Sequence, residues 1–162
     1  RQDTDVILVG EMRDLGTISA DRTADEPGHL VFGSLHTQSA PSTIDRIIDV
    51  FAPEQQEQVR IMIANSLQAV VTQALLPTAD GAGRVAALEI MLASPTVKKL
   101  IREGQIPKLY SAIEEGLSDG MQSFNQVIHR LVADQLIDFD EAMAASSRPE
   151  ELHLKLKMDG LV

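Results

Sequence analysis

An apolar run that stands directly beside a cluster of charges, near the start of the chain, constrains the fold most. Residues 6–9, Val-Ile-Leu-Val, are continuous, and three of the four are β-branched. Such a run is typical of a strand covered on both faces, as in a parallel sheet, and is too short for a core helix. Gly10 then allows close approach of a ligand or another backbone. Glu11, Arg13 and Asp14 follow it, where parallel sheets bind ligands, outside the carboxyl ends of their strands.

Glu11 by itself has two interpretations: a solvated charge that ends a core strand, or an acid in a ligand site. The next segments favour the ligand site. Residues 15–25 predict a short helix with Asp14 as its N-cap, and residues 29–37 predict a second apolar strand with polar ends. The three segments form a βαβ unit, whose right-handed crossover places His36 at the same edge as Glu11.

The helix between the two strands has a weak apolar face. Leu15 and Ile18 share one side, but the next position on that side is Arg22, and Pro27 ends the segment. We therefore expect this helix to dock weakly on the sheet.

Most of the remaining chain has apolar residues at helical spacing, and one segment predicts a hairpin. Strand 84–92 is expected to pair with residues 73–78 across the turn at 80–83. The predicted helices are 41–51, 53 to about 75, one between Ser94-Pro95 and Gly104, one between Pro107 and Gly116, 121–136, one begun by Asp138 with Glu141, and one from Arg148-Pro149 that uses Leu152 and Leu156.

Composition excludes several classes of function. The chain of 162 residues is 44% hydrophobic, enough for a core of domain size. Its net charge of -10 and 3% aromatic content oppose binding to nucleic acid or anionic lipid. The absence of cysteine excludes disulfides and thiolate metal sites. No apolar run reaches the roughly 20 residues needed to span a bilayer, so we expect no direct membrane insertion.

The histidines do not predict a shared metal site. His29 and His36 are seven residues apart, so their side chains point to opposite faces if both lie in one regular strand. Each has an ordinary interpretation as a hydrogen-bonded structural histidine. His129 and His153 lie on predicted helices among polar residues, and we expect them to be solvated.

A magnesium phosphate is the ligand that suits the predicted sheet edge. A carboxylate at Glu11 would act on the water shell of the metal, and His36 would face the terminal phosphate, with Arg13 and Asp14 nearby. The sequence contains no G-x-x-x-x-G-K-[ST] loop. These residues therefore supply at most part of a nucleotide site.

Several motifs resemble one known family. Residues 6–14 resemble the atypical Walker B motif of the secretion ATPases, and residues 28–37 resemble their histidine box, with Ser34 where threonine is usual. Further segments resemble the type IV pilus retraction ATPases (the PilT group) in the same order along the chain: 43–51, 83–91, 100–104 and 119–124. In this family, the segment that resembles residues 100–104 is associated with retraction. Residues 20–27 depart from the family, which usually has an Ala- and Leu-rich helix there.

The resemblance implies an α/β fold, the later half of a RecA-like P-loop NTPase core with a partial parallel sheet plus a hairpin. This part would cover residues 1–93, and a C-terminal helical subdomain would cover 94–162. It implies a cytoplasmic bacterial homo-hexamer, peripheral to the inner-membrane pilus machinery, that hydrolyses ATP to drive pilus retraction and engages the inner-membrane platform protein.

The resemblance also implies roles for individual residues. Glu11 and His36 correspond to catalytic residues, and Glu11 would hold Mg²⁺, through water. The nucleotide-binding positions would be Gly10, Arg13, Asp14 and His29.

Two alternatives remain open. Pilus assembly and type II secretion ATPases share the same boxes but usually carry a tetracysteine zinc insertion, so the lack of cysteine favours retraction. A free-standing piece of such a protein would instead be a non-catalytic oligomerisation or docking module. Because the chain begins at Arg1 without Met and lacks the phosphate loop, we expect it to be part of a longer protein and to be inactive alone.

Overall fold

The structure is a computed structural model, and it describes residues 6–11 and 30–162, with residues 7–11 described by their backbone alone. The predicted crossover helix at 15–25 and its weak apolar face lie outside the described residues.

The first two strands form a parallel pair, as the apolar runs predicted. Strand β1 (Val6–Glu11) pairs with strand β2 (Leu30–Ser34) from Val6 opposite Leu30 to Glu11 opposite Ser34. The register shifts between Val9 and Glu11. A glycine inside a strand often marks such a bulge, and Gly10 is the residue at this shift.

Two helices follow the parallel pair. Helix α1 (Ala40–Asp49) begins with a capping box between Ser39 and Ser42 and has a proline in its first turn. Its buried face contains Ile44 and Ile48. Helix α2 (Pro53–Ser66) also begins with proline, whose fixed φ suits the first turn.

The prediction that α2 continues to about Leu75 is wrong. The helix ends at Ser66, and Leu67 has extended backbone angles, φ -59° and ψ 133°. Strand β3 (Ala69–Pro77) then pairs antiparallel with β4 (Arg84–Leu92) along nine residues. The β-branched run from Val70 to Thr72 suits a strand, and full pairing with β4 outweighs the helical spacing. The predicted hairpin is confirmed, with a longer first strand.

The remainder of the chain is helical, as predicted. Its helices are α3 (Pro95–Arg102), α4 (Leu109–Glu115), α5 (Phe124–Ala133), α6 (Phe139–Ala145) and α7 (Pro149–Met158), with 3₁₀ turns at Ile106–Lys108 and Gly116–Asp119. Asp138 caps α6, because its carboxylate accepts a hydrogen bond from the Glu141 amide at 2.8 Å.

Helix α5 is shorter than the predicted 121–136. Ser123 forms a capping box with Gln126 at its start. The backbone of Gln122 instead pairs with Ile90 of β4, through hydrogen bonds of 2.9 and 3.0 Å. The helix stops before Gln135, whose φ of 56° is left-handed.

Two hydrophobic clusters form the core of the described residues. The first joins α1 and α2 to Met91 of β4 and to the helices α3 and α4. The second joins Leu76 and Ala87 of the hairpin to α5, α6 and α7. Both clusters therefore draw on residues before and after the predicted boundary between 93 and 94, and that division stays a prediction.

Among the residues that the structure describes, no helix is long and apolar enough to cross a membrane.

Candidate functional site

The carboxyl edge of the parallel pair brings two predicted site positions together. Glu11 ends β1 opposite Ser34, which ends β2, and His36 follows Ser34 by two residues. Because the strands are parallel, both positions lie at the same edge of the sheet. The bulge at Gly10 makes Glu11 the residue paired with Ser34.

The other predicted nucleotide-binding residues, Arg13, Asp14 and His29, lie outside the described residues, and so does the side chain of Glu11. Their assigned roles stay predictions.

The loop that carries His36 is attached closely to helix α1. The guanidinium of Arg46 donates a hydrogen bond to the backbone carbonyl of His36 at 3.3 Å. One residue later, the hydroxyl oxygens of Thr37 and Thr43 lie 2.6 Å apart. The His36 side chain is exposed, and these contacts hold the backbone of the loop in place.

Ser39 links the same loop to helix α4. Its hydroxyl accepts a hydrogen bond from the Ser42 amide at 3.2 Å as part of the capping box. The same oxygen lies 3.2 Å from the Tyr110 hydroxyl. Ser39 is itself buried, so the start of α1 is fixed by local capping and by a distant helix.

Glu89 is a functional candidate that the sequence analysis missed. It lies on β4 with 1% of its surface exposed. One carboxylate oxygen accepts from the Ala40 amide at 2.6 Å, and the other accepts from the Phe124 amide at 3.2 Å. An acid at an interior position of an otherwise largely apolar strand was the available signal, because a buried carboxylate requires hydrogen-bond partners.

Burial raises the pKa of Glu89, and the nearby carboxylate of Glu114 raises it further. The hydrogen bonds from Ala40 and Phe124 act in the opposite direction, since they stabilise the charged form. These two amides belong to the first residues of α1 and α5. Free N–H groups and the helix dipole make such ends favourable places for a negative charge.

The expectation that His129 is solvated is wrong. Its Nε2 lies 2.8 Å from a carboxylate oxygen of Asp159, and only 24% of its side chain is exposed. The tertiary packing of α5 against α7 brings the end of α7 next to this histidine. His153 is exposed and makes an edge contact with the Phe139 ring at 5.5 Å between centroids.

The residue type at the carboxyl edge of the parallel pair is compatible with the predicted magnesium. Among the side chains that the structure describes, no three of His, Asp or Glu are grouped so that they could enclose a metal ion. Mg²⁺ prefers hard oxygen ligands and keeps several waters, often binding through one or two carboxylates plus substrate phosphates. Glu11, at the end of β1, is a residue of that type, and its role as a magnesium ligand stays a prediction.

A sequence profile of the family described as "Type II/IV secretion system protein" matches residues 1–99. The type IV pilus retraction ATPase PilT of Pseudomonas aeruginosa is 51% identical over 150 residues, which cover 93% of this chain and 43% of that protein. A twitching motility protein of Neisseria gonorrhoeae is 49% identical over 152 residues, covering 94% of this chain and 41% of that protein.

A crystal structure of the pilus retraction motor PilT with bound ADP has a similar fold. The TM-score is 0.85 at 45% identity, and the match covers 95% of this chain and 43% of that one. The chain thus spans less than half the length of these relatives. The predicted fold class, part of a RecA-like core followed by helices, is confirmed, as is the resemblance to pilus retraction ATPases. Because the profile matches more than half of the residues, the chain belongs to the type II/IV secretion system protein family.

Proposed function

We propose that residues 1–162 are part of a motor ATPase that hydrolyses ATP to power type IV pilus retraction. One observation carries this proposal. Over more than nine-tenths of the chain, about half of the residues are identical to those of a retraction ATPase and of a twitching motility protein. The lack of cysteine supports retraction over pilus assembly or type II secretion.

Each predicted site residue has a role in this proposal. Glu11 acts on the metal through water, and His36 faces the terminal phosphate. Magnesium, when bound, neutralises charge that develops on the phosphates during phosphoryl transfer. The positions of Glu11 and His36 at one sheet edge support these roles.

The remaining predicted positions, Gly10, Arg13, Asp14 and His29, contact the nucleotide. The register shift at Gly10 supports its proposed contact with the nucleotide, because a glycine at this position permits close approach of a ligand to the backbone.

The site requires groups beyond these residues. Most of the grip on a nucleoside triphosphate comes from the amides and lysine of a phosphate loop, and no such motif occurs in residues 1–162. We therefore expect residues 1–162 alone to hydrolyse no ATP and to bind it weakly. Calorimetry with Mg-ATP tests this, and a micromolar dissociation constant would contradict it.

The proposal extends to assembly and location. The full-length protein forms a homo-hexamer in the bacterial cytoplasm and engages the inner-membrane platform protein of the pilus machine. The sequence resemblance to the retraction ATPases supports these partners, and the net charge of -10 agrees with a protein that binds neither nucleic acid nor anionic lipid directly.

The experiment that tests the function uses Glu11→Gln in the full-length protein. We expect nucleotide binding to be largely retained while ATP hydrolysis falls by orders of magnitude, because the carboxylate charge at the metal is lost without a change of size. Measurement of nucleotide affinity and turnover in the same preparation separates the two effects. Turnover equal to wild type would remove Glu11 from the site.

A further inference from the structure

Glu89 joins two helix starts that are distant in sequence. Ala40 and Phe124, its two amide partners, are 49 and 35 residues away along the chain. Each is the first residue of its helix, α1 or α5. The carboxylate therefore fixes the distance between the two N-termini with one oxygen on each.

The amide of Ala40 is close in sequence to the candidate site. His36 precedes Ala40 by four residues, and the intervening loop is held to α1 by the contacts of Thr37 with Thr43 and of Arg46 with the His36 carbonyl. A shift of the α1 N-terminus would therefore move the His36 backbone with it.

The amide of Phe124 belongs to a different part of the core. Phe124 lies in the second hydrophobic cluster with residues of the hairpin and of α5, α6 and α7, whereas Ala40 lies in the first cluster. Glu89 thus connects the loop that carries His36 to the helices of the second cluster through direct hydrogen bonds.

We propose that Glu89 is a positioning residue for His36, holding the loop before α1 in register with the start of α5. This inference rests on the proposed function, in which His36 faces the terminal phosphate during ATP hydrolysis. Glu89 does not touch the nucleotide in this account; it acts through the Ala40 amide and the loop attached to it.

The test is Glu89→Gln in the full-length protein. The amide side chain keeps the size and one acceptor oxygen, but its NH₂ group cannot accept the second backbone N–H. We expect kcat for ATP hydrolysis to fall about 10- to 100-fold, the order for a small displacement of a reacting group, with little change in the KM for ATP. In a His36→Ala background, the same substitution should cause almost no further loss.

A matched control separates positioning from general loss of helix capping. Asp138→Ala removes the capping carboxylate from α6, which accepts the Glu141 amide at 2.8 Å on the protein surface. We expect it to lower the melting temperature while leaving kcat at the wild-type value. Glu89→Asp is the second variant. Its carboxylate is one methylene shorter, so we expect it to lose at least one of the two amide hydrogen bonds and to lower kcat as Glu89→Gln does.

The outcomes are distinct. Three results would overturn the positioning role. They are a wild-type kcat in Glu89→Gln, a fall in kcat caused by Glu89→Gln in the His36→Ala background that equals its fall in the wild-type background, and failure of both Glu89 variants to fold. Absence of ATP hydrolysis by the wild-type protein would overturn the proposed function and this inference together. Wild-type turnover in His36→Ala would overturn the role of His36 and this inference, and would leave the proposed ATPase function standing.

Discussion

At the scale of single residues, His36 and His129 differ in their surroundings. His36 lies exposed on the loop at the sheet edge, two residues beyond the end of β2. His129 is largely buried against Asp159 at 2.8 Å. This difference makes His129 a control for any catalytic test of His36.

We expect His36→Ala in the full-length protein to slow ATP hydrolysis by roughly 100-fold, the order for loss of one group that stabilises charge in a transition state. His129→Ala should leave turnover unchanged, because His129 lies on α5 with Nε2 against Asp159 at the end of α7, and neither residue belongs to the strands or the loop of the candidate site. Its effect on stability should be about 1 kcal/mol or less, since the contact between His129 and Asp159 is partly exposed. Steady-state turnover and thermal unfolding measure the two effects, and equal losses of turnover would show that the histidines act only on folding.

At the scale of elements, the junction after α4 is tightly packed. Gly116 is buried where α4 passes into the 3₁₀ turn Gly116–Asp119. A Cβ atom at this position would overlap Cε of Met121 and lie 3.2 Å from its Cβ. Met121 is itself buried in the first cluster. Movement of its side chain would therefore disturb the core.

We expect Gly116→Ala to lower the free energy of unfolding by about 1–3 kcal/mol, the usual cost of overpacking a core. Gly83→Ala is the matched control, because a Cβ there would meet nothing within 4 Å. Chemical denaturation of both variants measures the difference. Equal stability of the two would show that Met121 repacks without cost.

At the scale of the whole molecule, the second hydrophobic cluster connects the hairpin to the last three helices, α5, α6 and α7. Leu152 and Leu156 of α7 are fully buried in the second cluster with Leu76 and Ala87 of the hairpin. Leu154, on the same helix, is 60% exposed. The two faces of α7 therefore contribute very differently to stability.

We expect Leu152→Ala to lower the free energy of unfolding by about 2–5 kcal/mol through lost burial and a cavity. Leu154→Ala should change it by about 0.5 kcal/mol or less, as for most surface substitutions. Denaturation curves for the two variants test this, and a large effect of Leu154→Ala would mean that this exposed face packs against another part of the assembled protein.

The sequence by itself determined the parallel strand pair, the hairpin and the helical remainder. Continuous apolar runs, helical spacing and caps such as Asp138 act over a few residues, so they can be recognised without knowledge of distant contacts. The βαβ pattern also predicted that Glu11 and His36 lie at one edge. The strand register agrees, because Glu11 pairs with Ser34, two residues before His36.

Only the tertiary structure decided the end of α2, the pairing of His129 and the hydrogen-bond partners of Glu89. Residues 67–75 permit either helix or strand by local pattern, and pairing with β4 selects the strand. Asp159 reaches His129 only when α7 packs beside α5. The amides that hold Glu89 belong to residues 49 and 35 positions away, so no local pattern indicates them, and the chain must fold before a buried carboxylate acquires its partners.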